Sequence, residues 1–192
     1  MGVMDGVVSR VGHMLRPIHA GDDKLARHRL HPATAPSLEV TSPAFLQGAS
    51  IPRPYTKDGA DLSPPLVIGN VPPSAQELVL LCEDPDAPAP KPFLHWLAYG
   101  LSPQTAQRPE GMAKTSHLAE LHVQQGTNGF RAYGYGGPSP PRGHGVHHYH
   151  FQVFALDSPL LLSPSPSREE VLRAMSDHVV AHGSLVGTYE RT

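Results

Sequence analysis

Two proline-rich segments hold the side chains best suited to chemistry in this sequence. The first is Asp84-Pro85-Asp86-Ala87-Pro88, which leads to His95-Trp96. The second is Tyr135-Gly136-Gly137-Pro138-Ser139-Pro140-Pro141-Arg142-Gly143, which leads to His147-His148-Tyr149. Imidazoles and a phenol can donate hydrogen bonds to a small polar ligand or exchange protons with it near neutral pH. Prolines fix the turns beside them, so a pocket walled by such loops loses little freedom on binding. Gly136 and Gly137 lack side chains, so their N–H groups could approach an anion closely. No helix and no Lys-Ser/Thr pair follows these glycines, which excludes a P-loop.

Strands must position these groups. From His147 onward, alternation puts His147, Tyr149, Phe151, Val153 and Ala155 on one face and His148, His150, Gln152, Phe154 and Leu156 on the other. The same rule puts His95, Leu97 and Tyr99 opposite Trp96 and Ala98. Glu77 to Glu83 is apolar on both faces, as a central strand would be. Leu38 to Thr41, His95 to Leu101 and His147 to Asp157 read as further strands. The fold class is therefore mostly β, with two antiparallel sheets in a Greek-key, sandwich-like arrangement. One late helix is expected: Ser167 and Glu170 form a capping box, Val171, Leu172, Met175 and Val179 an apolar stripe, and Gly183 a stop.

Residues 1–36 differ from the rest. Their five Lys/Arg and three Asp leave +2, against −4 for the remainder. Val7, Val8, Val11, Met14, Leu15 and Ile18 recur at helical spacing, interrupted by Pro17. This segment reads as a partly helical arm packed on its own domain or on a second subunit; the charge excess is too weak for a polybasic membrane signal. Residues 37–192 form the single domain.

Composition narrows the classes. Gly (18) and Pro (22) are abundant, which favours short strands with fixed turns over a helical bundle. A net charge of −2 gives no general pull toward nucleic acid. The one cysteine, Cys82, cannot close an internal disulfide and sits in an apolar run as a small buried side chain. No signal-peptide or transmembrane run interrupts the sequence, so a cytoplasmic location is expected.

Read together, the two motifs resemble those of the phosphatidylethanolamine-binding proteins, in particular the bacterial Raf-kinase-inhibitor-like branch. Tyr55-Thr56-Lys57-Asp58-Gly59, Leu62 to Leu66, Phe154-Ala155-Leu156-Asp157 and Ser184 to Tyr189 also look like family positions, so the resemblance runs from Leu38 to Thr192. It implies a pocket for phosphate or a phospholipid head group, with Asp84, His95, His147 and Tyr149 as its side chains. Gly137, Ser139 and Pro141 match the loop wall, with the Ser139 N–H as a donor. The resemblance also implies a homodimer and a possible kinase or protease target. Lys57, Ile68 and Ser139 replace Cys, Trp and Cys of many bacterial members; none of these changes removes a pocket side chain.

Asp84 is a turn former by its own setting, and the resemblance moves it into the pocket. There it is expected to keep a neighbouring histidine charged, ready to donate to an anion. His144, His147, His148 and His150 invite a zinc reading, but no Cys pair or Glu partner stands near them, and neither metal nor cofactor is expected. The rival class is an acid–base or metal-dependent phosphoester hydrolase using the same residues. No nucleophile held by a base is evident, so binding without catalysis is the reading adopted.

Overall fold

The computed structural model describes residues 10–30, 37–162 and 164–192. Two antiparallel sheets form, as the alternation requires. The smaller runs β1 (Glu39–Thr41), β2 (Leu66–Gly69), β5 (Gln107–Arg108). The larger runs β6 (His117–Leu118), β7 (Val123–Gln125), β4 (Phe93–Leu101), β3 (Glu77–Asp84), β8 (His147–Leu156), β9 (Val179–Tyr189). β3 is buried along its whole length between β4 and β8, which its two-faced apolar run demands.

Each face of the larger sheet has its own core. On one face, Leu78, Leu80, Cys82, Trp96, Ala98, Phe151 and Val153 cluster with Val40, Leu66 and Ile68 of the smaller sheet. On the other, Val79, Leu81, Leu97, Phe154 and Leu156 cluster with helix α1 (Ala26–Arg29) and helix α2 (Arg168–Met175) through Ala26, Val171, Leu172 and Met175. Each fully buried Leu, Val or Phe contributes about 1.5–3 kcal/mol, so a charge in this layer must be fully compensated. Glu83, with no solvent exposure, is such a charge. It accepts from the Ala26 N–H at 2.9 Å, from Gln152 Nε2 at 2.7 Å and from Arg168 Nε, which pins both helices to the sheet.

The capping box opens α2 as expected, with the Ser167 hydroxyl accepting from the Glu170 N–H and the Glu170 carboxylate accepting from the Ser167 N–H. The helix ends at Met175, about one turn short of the expected stripe. Val179 and Gly183 belong instead to β9, which pairs with β8 from Leu156 to His147. That ladder outweighs another helical turn. Gly183 also lets the chain before β1 pass closely, since a Cβ there would lie 2.2 Å from the Leu38 carbonyl oxygen.

The arm is helical over residues 10–15 and leaves the helix before Pro17. Val7 and Val8 lie outside the described residues, as does the expected boundary at residue 36. Val11, Met14 and Ile18 are exposed, so the expected apolar face does not pack inward. The arm is held by polar contacts instead: Ala20 N–H to the Ala87 carbonyl, Gly21 N–H to the Pro85 carbonyl and Arg16 Nε to the Gly143 carbonyl. Farther along, Leu25, Ala26 and Leu30 are buried.

His150, buried on the helix side of β8, accepts at Nδ1 from Arg27 Nη1 at 3.0 Å. Burial first, and then the Arg27 charge, hold its pKa down to about 4, against an ordinary 6.5. Between those values the unfolded chain binds a proton that the folded chain refuses, so stability falls as pH drops from 6.5 toward 4. The expected loss between about pH 7 and pH 5 is about 2 kcal/mol from this group. Urea unfolding at the two pH values should show that His150→Gln removes this share. An undiminished acid loss in the variant would contradict it.

Candidate functional site

The ladder between β3 and β4 skips one residue. Cys82 pairs with Trp96 and Glu83 pairs with Leu94, which leaves His95 as the extra residue of a β-bulge. Strict alternation would have put His95 on the helix-facing side with Leu97. The bulge turns it to the Trp96 side, where its ring meets that of Tyr149 edge-on, centroids 5.0 Å apart. Gly136 fixes this geometry: its N–H donates to the His95 carbonyl at 2.8 Å, and its carbonyl accepts from His95 Nδ1 at 2.5 Å. A carbonyl only accepts, so Nδ1 carries the proton and Nε2 presents a lone pair. Phe93 and Phe130 pack around the ring. Burial lowers the His95 pKa below its ordinary value, against the pull of Asp84 and the Gly136 carbonyl. The pull of Asp84 therefore does not prevail at this imidazole.

The carboxylate serves the other histidine. Asp84 Oδ1 accepts from the Asp86 N–H at 2.8 Å, and Oδ2 accepts from His147 Nδ1 at 2.7 Å. His147 Nε2 meets His144 Nδ1 at 2.7 Å, and His144 Nε2 donates to the Leu15 carbonyl of the arm at 2.8 Å. Asp84, His147 and His144 thus form one hydrogen-bonded chain that ends on the arm. Both His147 nitrogens are engaged within it, so His147 borders the cavity without a free donor.

Asp84, His95, Ser139, Pro141, His147 and Tyr149 line one cavity of about 250 Å³, together with Ala87, Pro88, Phe93, Phe130 and Pro140. The Tyr149 hydroxyl is buried and has no partner among the described residues, and burial, reinforced by Asp84, raises its pKa strongly. The Ser139 hydroxyl accepts from Arg191 Nη1 at 2.8 Å. Arg191 is itself gripped by both oxygens of Asp58, which holds its pKa up. Gly137 does not line the cavity. Its N–H donates to Asp61 Oδ1 at 2.7 Å, and the Gly136 N–H is used by His95, so neither glycine amide is available to an anion.

The cavity is thus bordered by the His95 ring, whose Nε2 carries a lone pair, by the Tyr149 phenol and by Ser139. It can hold a small ligand that both donates and accepts. His148 bonds Asp86 and His150 bonds Arg27, so neither joins His144 and His147 around a common point. The sequence reading missed three kinds of residue. Phe93 and Phe130 build the apolar wall. Arg191 and Asp58 fix Ser139, and only Asp58 lay in a quoted motif. His144 was noted for metal binding alone.

Comparison with known proteins agrees with this architecture. The family model described as phosphatidylethanolamine-binding protein matches residues 41–190. A UPF0098 protein of Pyrococcus horikoshii is 47% identical over 156 residues, covering 81% of this chain and 77% of the relative. A UPF0098 protein of Aquifex aeolicus is 39% identical over 168 residues, covering 87% and 96%. Among solved structures, a phosphatidylethanolamine-binding protein homologue of Chlamydia trachomatis superposes with a TM-score of 0.73 at 36% identity, covering 82% of this chain and 100% of that one. YbcL of E. coli, described as a member of the mammalian family, gives 0.74 at 26% identity, covering 81% and 99%.

Replacing His144 with Phe should break the chain at its centre, leaving His147 Nε2 and the Leu15 carbonyl without their partner. The expected cost is about 1–3 kcal/mol of stability, read from urea unfolding. Amide exchange at Ala20 and Gly21 should accelerate as the arm loosens. Unchanged exchange at both amides would show that His144 does not hold the arm.

Proposed function

On the premise that the chain belongs to the phosphatidylethanolamine-binding protein family, we propose that its pocket binds, without turnover, inorganic phosphate or a phosphorylated head group such as that of phosphatidylethanolamine. The observation that carries this reading is the Tyr149 hydroxyl, a buried polar group that borders the cavity and finds no partner among the described residues. Leaving such a group unpaired costs about 1–3 kcal/mol, which a ligand oxygen would recover. The Ser139 N–H, to which no described residue offers an acceptor, would supply a second donor.

His95 has a different part from the one its residue type suggests. Its Nε2 is an acceptor while the ring is neutral, so the complex needs one more proton at that point. A singly charged phosphate or phosphomonoester can bring it as P–OH, the ethanolamine ammonium can bring it as N–H, or His95 can take it up. In the first and last cases affinity rises as pH falls. Both Asp84 oxygens accept hydrogen bonds, which limits the repulsion a bare carboxylate would exert on the anion.

Binding rather than catalysis is supported by what the polar groups already do. Both Asp84 oxygens are occupied, and the Ser139 hydroxyl faces a guanidinium instead of a base. Kinase or protease regulation and a homodimer are parts of the proposal that rest on the family resemblance; a cytoplasmic location is proposed beside them from the sequence reading. Among the described residues, no helix is long and apolar enough to cross a membrane.

Calorimetric titration with inorganic phosphate should give affinity that falls as pH rises through and beyond the ordinary imidazole value of 6.5, by up to about tenfold per pH unit. A flat profile from about pH 5.5 to 8.5 would contradict the need for a proton. Tyr149→Phe should weaken binding about tenfold while leaving stability unchanged or slightly higher. Incubation with phosphoesters, with and without divalent metal, should give no product; turnover abolished by His95→Ala would favour the hydrolase.

A further inference from the structure

Away from the histidine-lined cavity, Arg108 sits on β5 with 5% of its surface exposed. Among the described residues its one hydrogen bond runs from Nη2 to the Ser102 carbonyl at 2.7 Å, and its buried Nε has no partner there. No described carboxylate pairs with it. The other arginines withdrawn from solvent do not share this condition: Arg168 pairs with Glu83, Arg191 with Asp58 and Arg27 with Asp22. Burial lowers the Arg108 pKa to about 10, which still leaves it charged at neutral pH. An unbalanced cation in this setting is costly unless something outside the chain balances it.

The surroundings define what that would be. Arg108 lines a cleft of about 470 Å³ together with Pro43, Pro65, Leu66, Gln107 and Pro109, none of which also borders the histidine-lined cavity. That volume suits a small organic molecule. The three prolines have no N–H and present apolar rings. Arg108 is the one charged residue among the lining, so a dianion would remain half-compensated, whereas a single negative charge is matched. The planar guanidinium fits a carboxylate. Water in the cleft would satisfy the Nε–H but bring no opposite charge.

We propose that Arg108 and this cleft form a second binding site, which takes a monoanionic carboxylate carried on an apolar body. Sodium benzoate is a suitable probe, with benzamide as its neutral isostere and phenyl phosphate as a dianion. Added to the intact protein at neutral pH, benzoate should shift the Arg108 Nε–H resonance and the Leu66 and Gln107 amides saturably. Benzamide should not, and phenyl phosphate should bind there at least about tenfold more weakly. Arg108→Gln should weaken benzoate binding about tenfold or more, while His95→Ala should leave it unchanged. The Nε–H shift is read on unmutated protein, so it stands even where the variant folds poorly. No saturable shift, equal binding of benzamide or phenyl phosphate, or undiminished binding in a folded Arg108→Gln would each overturn the proposal.

Discussion

His95 exchanges two hydrogen bonds with Gly136: its carbonyl accepts from the Gly136 N–H at 2.8 Å, and its Nδ1–H donates to the Gly136 carbonyl at 2.5 Å. Together with the bulge between the Cys82 and Glu83 pairings, they carry the ring across the sheet. Without that reversal, the imidazole would sit with Leu97 under the helices, and the cavity would lose its acceptor. Gly136 must be glycine for this approach, because a Cβ there would lie 2.6 Å from the Phe130 ring. Phe130 in turn packs on the His95 ring and lines the cavity, so the polar group and its apolar wall both depend on this one residue.

The opposite wall depends on charge. Asp84 ends the fully buried β3, where a bare carboxylate would be untenable. Its solution is a line of imidazoles that ends on the backbone of the arm, 129 residues from His144 in sequence. The arm also bonds the Pro85 and Ala87 carbonyls of one loop and the Gly143 carbonyl of the other. It therefore braces both loops from behind, while its apolar Val11 and Met14 remain exposed. Pocket order, the arm and the charge on Asp84 are coupled through these few bonds.

Local pattern made part of this legible. β3 could be read as central because nothing polar interrupts either face, and α2 could be read from its cap because Ser167 and Glu170 satisfy each other within one turn. The cavity-side placement of His147 and Tyr149 followed from alternation. What alternation could not give was the bulge, since an extra residue in a ladder is defined only against its partner strand. The end of α2 was misread for a similar reason: Val179 suits a helix locally but is claimed by β8. The roles of the glycines were reversed, because their N–H groups go to His95 and Asp61, acceptors that a local reading does not reveal. Arg191 and Arg108 had no local signature; both matter through what lies, or fails to lie, beside them in space.

The orientation of the His95 ring is the claim from which the cavity follows, and nuclear Overhauser contacts in the unliganded protein measure it directly. The bulged arrangement predicts strong contacts from the His95 ring protons to those of Tyr149 and Phe93, whose centroids lie 5.0 Å and 4.9 Å away. Contacts to Val171 or Leu172 of the helical layer, with none to Tyr149, would contradict it.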